Sequence, residues 1–245
     1  EMGLTQNQKK ELDTLKKRYE DQVGKQLTDI QSQKMYDLIN KSQNKELSQT
    51  SKTQCLKTFL QYKYGYYEEI HTDAMMKGKL LESEAISLLS VLEGTYLKKN
   101  KERRSNDFIT GECDLLGKND VIHDIKIPEN IRTFFDVEDV SKNYYCQGQG
   151  YMNLWEKSKY KLTYVLLPDS VEMIERKIAR LSFHLVGDDF IKAQKQLIHN
   201  NDIIKTMPIE DRIKIFEFGY DHEFINQVNE RIEICRDYIK TKYGY

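Results

Sequence analysis

Apolar positions recur along this chain at two spacings, three-to-four residues and two, and the switches between them mark its elements. In LTQNQKKELDTLKKRYEDQV, Leu12, Leu15, Tyr19 and Val23 recur at helical spacing behind Thr5, a candidate N-cap. SQNKELSQTSKT reads as a loop, ending at a cap before a helix KTQCLKTFLQYKYG. From Thr72, TDAMMKGKLLESEAISLLSVLEG is the most apolar helical segment; Leu81, Ala85, Leu88, Leu89 and Leu92 mark its buried face and Gly94 its stop. The period then falls to two. Strands are expected over 108–116 and 121–127, joined by the turn GKND and ended by Pro128. VSKNYYCQGQGYMNLWEKS returns to helix, YKLTYVLLP is a buried strand, and the rest from about Asp169 is mostly helical. RIKIFEF interrupts it as a further strand before the helix DHEFINQVNERIEICRDYIKTKY. This order predicts an α/β core with a helical N-terminal extension over 1–50 and a main domain over 51–245 whose C-terminal part is helical.

The 245 residues are enough to bury a sizeable core. Lys plus Arg total 38 against 39 acidic residues, so nucleic acid cannot be held by global charge and needs a local basic patch or metal ions. The four cysteines, at 55, 113, 146 and 235, include no CxxC pair, which predicts free thiols rather than a zinc site or a disulfide scaffold. No apolar run reaches membrane-spanning length and no signal-peptide pattern opens the chain; a soluble cytoplasmic protein is the expectation.

Candidate chemistry centres on FITGECDLLGKNDVIHDIKIP, residues 108–128. Residues two apart on a strand share a face, so Asp124 and Lys126 point with Ile122, while Val121, His123, Ile125 and Ile127 point the other way. A tight connection brings Asp114 beside Asp124. Hard cations such as Mg²⁺ or Mn²⁺ favour paired carboxylates, and a lysine beside them stabilises an anionic transition state. A solvated Asp–Lys pair on an outer strand face would present the same triplet. Upstream, Gly78 and Glu82 form G-x-x-x-E, with Gly78 expected to allow close packing and Glu82 to supply a third carboxylate. Downstream, Gln147 and Tyr151 share one helix face, and Gly148 and Gly150 suggest close approach to a neighbour. His71, His123 and His184 have no ligand spacing and read as structural.

Taken in order, G-x-x-x-E (Gly78–Glu82), G-x-x-D (Gly111–Asp114), D-x-K (Asp124–Lys126) and Q-x-x-x-Y (Gln147–Tyr151) resemble the PD-(D/E)xK nuclease superfamily. The likeness spans about residues 72–170 and is greatest to the branch of lambda-type exonucleases and RecB-like nuclease domains. It implies a restriction-endonuclease-like core, a central mixed sheet flanked by helices. It also implies Mg²⁺ or Mn²⁺ held by Asp114, Asp124, the Ile125 carbonyl and Glu82, with Lys126 as the catalytic lysine. Gln147 and Tyr151 would support the site or touch DNA near the scissile phosphate. Asp124 stands where this branch usually has Glu, and Cys113 where a proline is usual. Some relatives bind an iron–sulfur cluster through clustered C-terminal cysteines; Cys235 stands alone there, so no cluster is expected.

DNA would be gripped by KKNKERRS, through Lys98, Lys99, Lys101, Arg103 and Arg104, and by Ser51, Lys52 and Thr53 at a helix N-terminus suited to a terminal phosphate. Solvated charge and ordinary capping explain the same residues. The resemblance implies a phage-type DNA exonuclease of recombination or repair, with a single-strand annealing or recombination protein as a candidate partner and an oligomer compatible. The alternatives are a structure-specific endonuclease, or a nuclease-fold module that binds DNA or protein without cleaving.

Overall fold

A computed structural model describes residues 6–20, 27–43, 46–117 and 119–245; Thr5, Val23 and Lys118 lie outside them. The chain divides into two compact units, 1–69 with 226–245, and 70–225.

The first unit is helical. It holds α1 (Gln6–Glu20), α2 (Asp29–Gln43) and α3 (Gln49–Tyr64), with most of α9 (His222–Tyr243). Leu12 and Leu15 are buried against Leu38 of α2, so the thin stripe does bury, whereas Tyr19 stays exposed. α3 begins two residues before Ser51, because the Ser48 hydroxyl accepts the Ser51 N–H and serves as cap. It ends at Gly65, whose positive φ of 65° closes the helix in a left-handed residue.

The second unit follows the expected order with two additions. α4 (Asp73–Leu92) starts at its Thr72 cap. A small hairpin, β1 (Arg104–Ser105) with β2 (Thr110–Gly111), precedes β3 (Leu115–Leu116) and β4 (Val121–Lys126). The short helix α5 (Ile131–Phe135), capped by a reciprocal Asn130–Thr133 box, leads to α6 (Lys142–Trp155), β5 (Lys159–Val165), α7 (Val171–Leu181) and α8 (Gly187–Thr206). β6 (Ile213–Gly219) completes a four-stranded sheet of order β3-β4-β5-β6. β4 and β5 are parallel and the flanking pairs antiparallel, so the sheet is mixed.

One face of the sheet is covered by α6, with Met152, Leu154 and Trp155 packed into a core with Ile122, Tyr160, Leu162 and Tyr164. The other is covered by α4, with Leu81, Ala85, Ile86 and Leu89 against Leu115, Ile125 and Val165. Leu92, expected on that face, is half exposed at the helix end. The expected strand over 108–116 is interrupted at 112–114. There Asn100 N–H donates to the Asp114 carbonyl at 2.7 Å, the Asn100 amide donates to the Cys113 carbonyl at 3.1 Å, and Lys99 bridges to Leu115. A segment well upstream therefore takes the hydrogen bonds that a continuous hairpin would have used.

Candidate active site

The alternation along β4 holds. Asp124 lies on the α6 side with Ile122, and Ile125 lies in the α4-side core. The strand is sandwiched, and this removes the solvated-surface reading of D-x-K. The Asp124 side chain is 1% exposed and Lys126 is 21% exposed, so the pair is no solvated outer face. Their ion pair is close, and the ammonium also sits 5.0 Å from the Tyr144 ring centroid. Burial lowers the affinity of Lys126 for its proton, but the Asp124 and Asp114 carboxylates outweigh it, and the pKa is raised.

Asp114 reaches the same spot from the interruption before β3. Its Oδ2 accepts the Ile125 N–H at 2.8 Å, which anchors it to the strand that carries Asp124. Burial, and then the charge of Asp124, push its pKa up from 3.8 to about 6, against the pull of the Ile125 N–H and of Lys126. Apart from the Lys126 ion pair, both Asp124 oxygens are buried without a hydrogen bond. The Tyr160 hydroxyl, also buried without a partner, has its pKa raised by burial and by both carboxylates.

Two adjacent carboxylates, that of Asp124 buried without a hydrogen bond and that of Asp114 partly buried beside it, are what a hard divalent cation stabilises, so the pair fits a metal. Among the described residues no three His, Cys, Asp or Glu side chains gather closely enough to hold one alone. Glu82 on α4 is paired with Lys99, and that ammonium also lies within the field of Asp114.

On α6, Gln147 Nε2 donates to the Tyr151 hydroxyl at 3.0 Å, and burial raises the Tyr151 pKa. Asp124 and Asp114 act on that hydroxyl too, so the Q-x-x-x-Y pair faces the carboxylates. The glycines divide. A Cβ at Gly111 would lie 2.6 Å from the Tyr151 ring, so this glycine seats the tyrosine beside the site. A Cβ at Gly148 would lie 2.6 Å from Phe218 and 2.9 Å from Tyr160, a close approach that holds α6 on the sheet. At Gly150 the contact would be ordinary, and at Gly78 a Cβ would meet nothing, so neither is required by packing as the sequence suggested.

The basic run is partly engaged. Lys99 pairs with Glu82, Arg103 stands 3.8 Å from Glu112, and Arg104 pairs with Glu102 while lying over Trp155. Lys98 and Lys101 have no acidic partner among the described residues. Ser51, Lys52 and Thr53 belong to the first unit, where Ser51 joins the Ser48 cap and Thr53 Oγ1 donates to the Gln49 carbonyl. His123 lies on the opposite face from Asp124, buried and 3.6 Å from Glu93; burial lowers its pKa. The four thiols are free, two of them only half buried. Sequence reasoning missed Tyr144 and Asn100, and only Tyr144 left a signal, one turn before Gln147 on the same helix face.

No protein-family model matches the chain, and no curated protein does. Solved structures do. A phage-related exonuclease from Haemophilus somnus 129PT is 25% identical, aligns over 95% of this chain and 94% of its own, and has a TM-score of 0.67. An alkaline exonuclease from Laribacter hongkongensis, 13% identical, covers 82% of this chain and 84% of its own at a TM-score of 0.57. The same enzyme in complex with dAMP superposes at 0.56. The last two bear on the fold alone. In fold the chain resembles phage-type exonucleases, and its motifs stand in the order expected of the PD-(D/E)xK superfamily.

Proposed function

We propose that the protein is a Mg²⁺- or Mn²⁺-dependent exonuclease that hydrolyses phosphodiester bonds of DNA in recombination or repair. One observation carries this reading: Asp124 and Lys126 are buried as a pair with Asp114 against them, in a chain with an exonuclease fold. DNA as substrate is supported by the phage-related exonuclease neighbour and by the dAMP complex of the alkaline one. We assign the chemistry to the span 51–245 and an accessory role to 1–50.

Asp114, Asp124 and the Ile125 carbonyl would hold the cation, with Glu82 released from Lys99 to join them. When bound, such a cation supplies a low-pKa water and neutralises charge on the phosphate. Lys126 keeps its proton at neutral pH, so it acts as a charged donor that orients the attacking water and stabilises the developing oxyanion. Tyr151 accepts from Gln147, which leaves its own O–H free to donate to a phosphate oxygen. Lys98 and Lys101 would take flanking phosphates, Arg103 and Arg104 more weakly because of their acidic neighbours, and Ser51, Lys52 and Thr53 a terminal one. A single-strand annealing or recombination protein is the partner such an enzyme would serve, in an oligomer or alone.

The test is end-labelled linear duplex DNA with Mg²⁺ or Mn²⁺, beside Asp124→Ala and Lys126→Ala. Wild type should release mononucleotides from ends and leave closed circular duplex intact, Asp124→Ala should be inactive, and Lys126→Ala should be slower by about 10²–10³-fold. Wild-type protein inert on duplex, single-stranded and branched DNA would sink the reading.

A further inference from the structure

A cavity of about 600 Å³ opens between the first turns of α4 and the last turns of α7, within the size range of small-ligand sites. None of Asp114, Asp124, Glu82 and Lys126 lines it, and the one carboxylate among its described lining residues is Asp73. Two contacts join its walls: Arg180 grips Asp73 through both guanidinium nitrogens, one at 2.9 Å, and Arg176 Nη1 lies 2.9 Å from Met76 Sδ. Between the same helices, Lys77 and Lys177 share the single carboxylate of Asp169. Asp73 balances Arg180, and Asp169 serves both lysines, with the Glu129 charge also acting on Lys77. Arg176 and Lys79, both lining the cavity, have no carboxylate partner among the described residues. A guanidinium that meets a thioether keeps its remaining donors for an anion.

Each wall also carries an uncovered apolar side chain, Phe183 just after α7 and Met75 on α4. Phe183 is 81% exposed and Met75 is 49% exposed. An uncovered aromatic ring beside unpaired cations suits a ligand with a flat base at one end and a phosphate at the other. Placement adds a direction. Met75, Lys79 and Glu82 stand at i, i+4 and i+7 of α4, so the cavity wall shares a helix face with Glu82, and Lys79 lies about 4.5 Å along the axis from it. A strand tracking that face would run from the active-site side into the cavity.

We propose that this cavity is a second, non-catalytic nucleic-acid subsite that holds one nucleotide unit of single-stranded DNA, its phosphate on Arg176 and Lys79 and its base against Phe183. The identity of the anion rests on the nuclease reading above. A strand and a free nucleoside monophosphate offer the same chemistry, so both are tested.

Anisotropy of a fluorescein-labelled oligo(dT) octamer, in EDTA so that nothing is cleaved, reads the site, with dTMP and inorganic phosphate as competitors. Arg176→Gln with Lys79→Gln should weaken octamer binding about tenfold and flatten its log–log salt slope by about 0.7 per lost phosphate contact. Phe183→Ala removes an exposed ring, so it keeps the fold; it should cost about tenfold on the octamer. Displacement of the octamer by dTMP from wild type but not from Phe183→Ala would support the site and show that a free nucleotide fills it too. Wild-type affinity and salt slope in all variants, or inorganic phosphate competing as well as dTMP, would overturn it. The outcome is independent of cleavage. If wild type cut no DNA yet the cavity variants lost the octamer, the nuclease reading would fall and the subsite stand; active protein with indifferent variants would mean the reverse.

Discussion

Replacing Asp114 with asparagine should make the metal-free protein more stable at neutral pH while abolishing nuclease activity. The wild-type carboxyl has a pKa of about 6 in the fold against 3.8 for an ordinary aspartate, raised by burial and by the Asp124 charge. The fold therefore holds this proton more tightly than the unfolded chain does. Its contribution to stability is present below about pH 4 and is lost as pH rises through about 6. At 1.36 kcal/mol per pH unit the gap corresponds to about 3 kcal/mol, and relaxation and water access bring the expected figure to about 1–3 kcal/mol. The side-chain amide of the Asp114→Asn variant keeps an oxygen that can accept the Ile125 N–H, and the substitution leaves the Asp124–Lys126 pair in place. The assay is urea unfolding in EDTA from pH 4 to 8, read by the fluorescence of Trp155, the one tryptophan, buried in the unit that carries the site. Wild type should lose stability relative to the variant between pH 4 and 7, and Mn²⁺ should restore it to wild type alone, by mass action on the folded state. Parallel curves for the two proteins across that range would refute the claim that Asp114 is ionised at a cost.

Lys126→Met should lower the cleavage rate about 10²–10³-fold, the size of effect seen when a transition-state donor is removed, with duplex binding in EDTA little changed; an equal loss of binding would mean the lysine only grips DNA. Tyr144→Leu takes the ring from beside the Lys126 ammonium, a contact worth about 0.5–2 kcal/mol, so kcat should fall with KM nearly constant, and Tyr144→Phe should restore it. Leu and Phe behaving alike would remove Tyr144 from the argument. Gly111→Ala would put a methyl group 2.6 Å from the Tyr151 ring, and its expected cost is about 1–3 kcal/mol in urea unfolding together with a drop in cleavage, whereas Gly78→Ala, where a Cβ meets nothing, should leave both intact.

What could be read in advance depended on the range of the interaction. The alternation that put Asp124 and Lys126 on one face and His123 on the other is local to six residues of β4, and it survived. So did the helical repeats of α4 and α6, since each has one strongly apolar face to bury. The break before β3 was not legible, because Asn100 supplies its hydrogen bonds and nothing in 108–116 encodes a partner that far upstream. The role of Gly78 was inferred from type alone, and its surroundings turned out open; Gly111 was quoted only as part of a motif, yet it is the glycine that Tyr151 needs. The Lys99–Glu82 pair likewise depends on a tertiary meeting of two segments whose charges, taken singly, look like solvated surface.

The burial of D-x-K carries more weight than its identity. An exposed Asp–Lys pair is worth about 0–1 kcal/mol and could stand on any outer strand. Taken out of water, the same pair pays desolvation that its own attraction barely offsets, and apolar side chains of like volume would serve the fold as well or better. Here the cost is compounded. A second carboxylate is pressed against the first, and Asp124 has no hydrogen-bond donor of its own apart from the contact with Lys126. No structural role needs that arrangement, because the sheet is already closed over by α4 and α6. A cation between the carboxylates reverses the sign, turning the repulsion that raises Asp114 into shared attraction. On this account the instability of the metal-free site and its catalytic competence are one property, so a variant that relieves the first should lose the second.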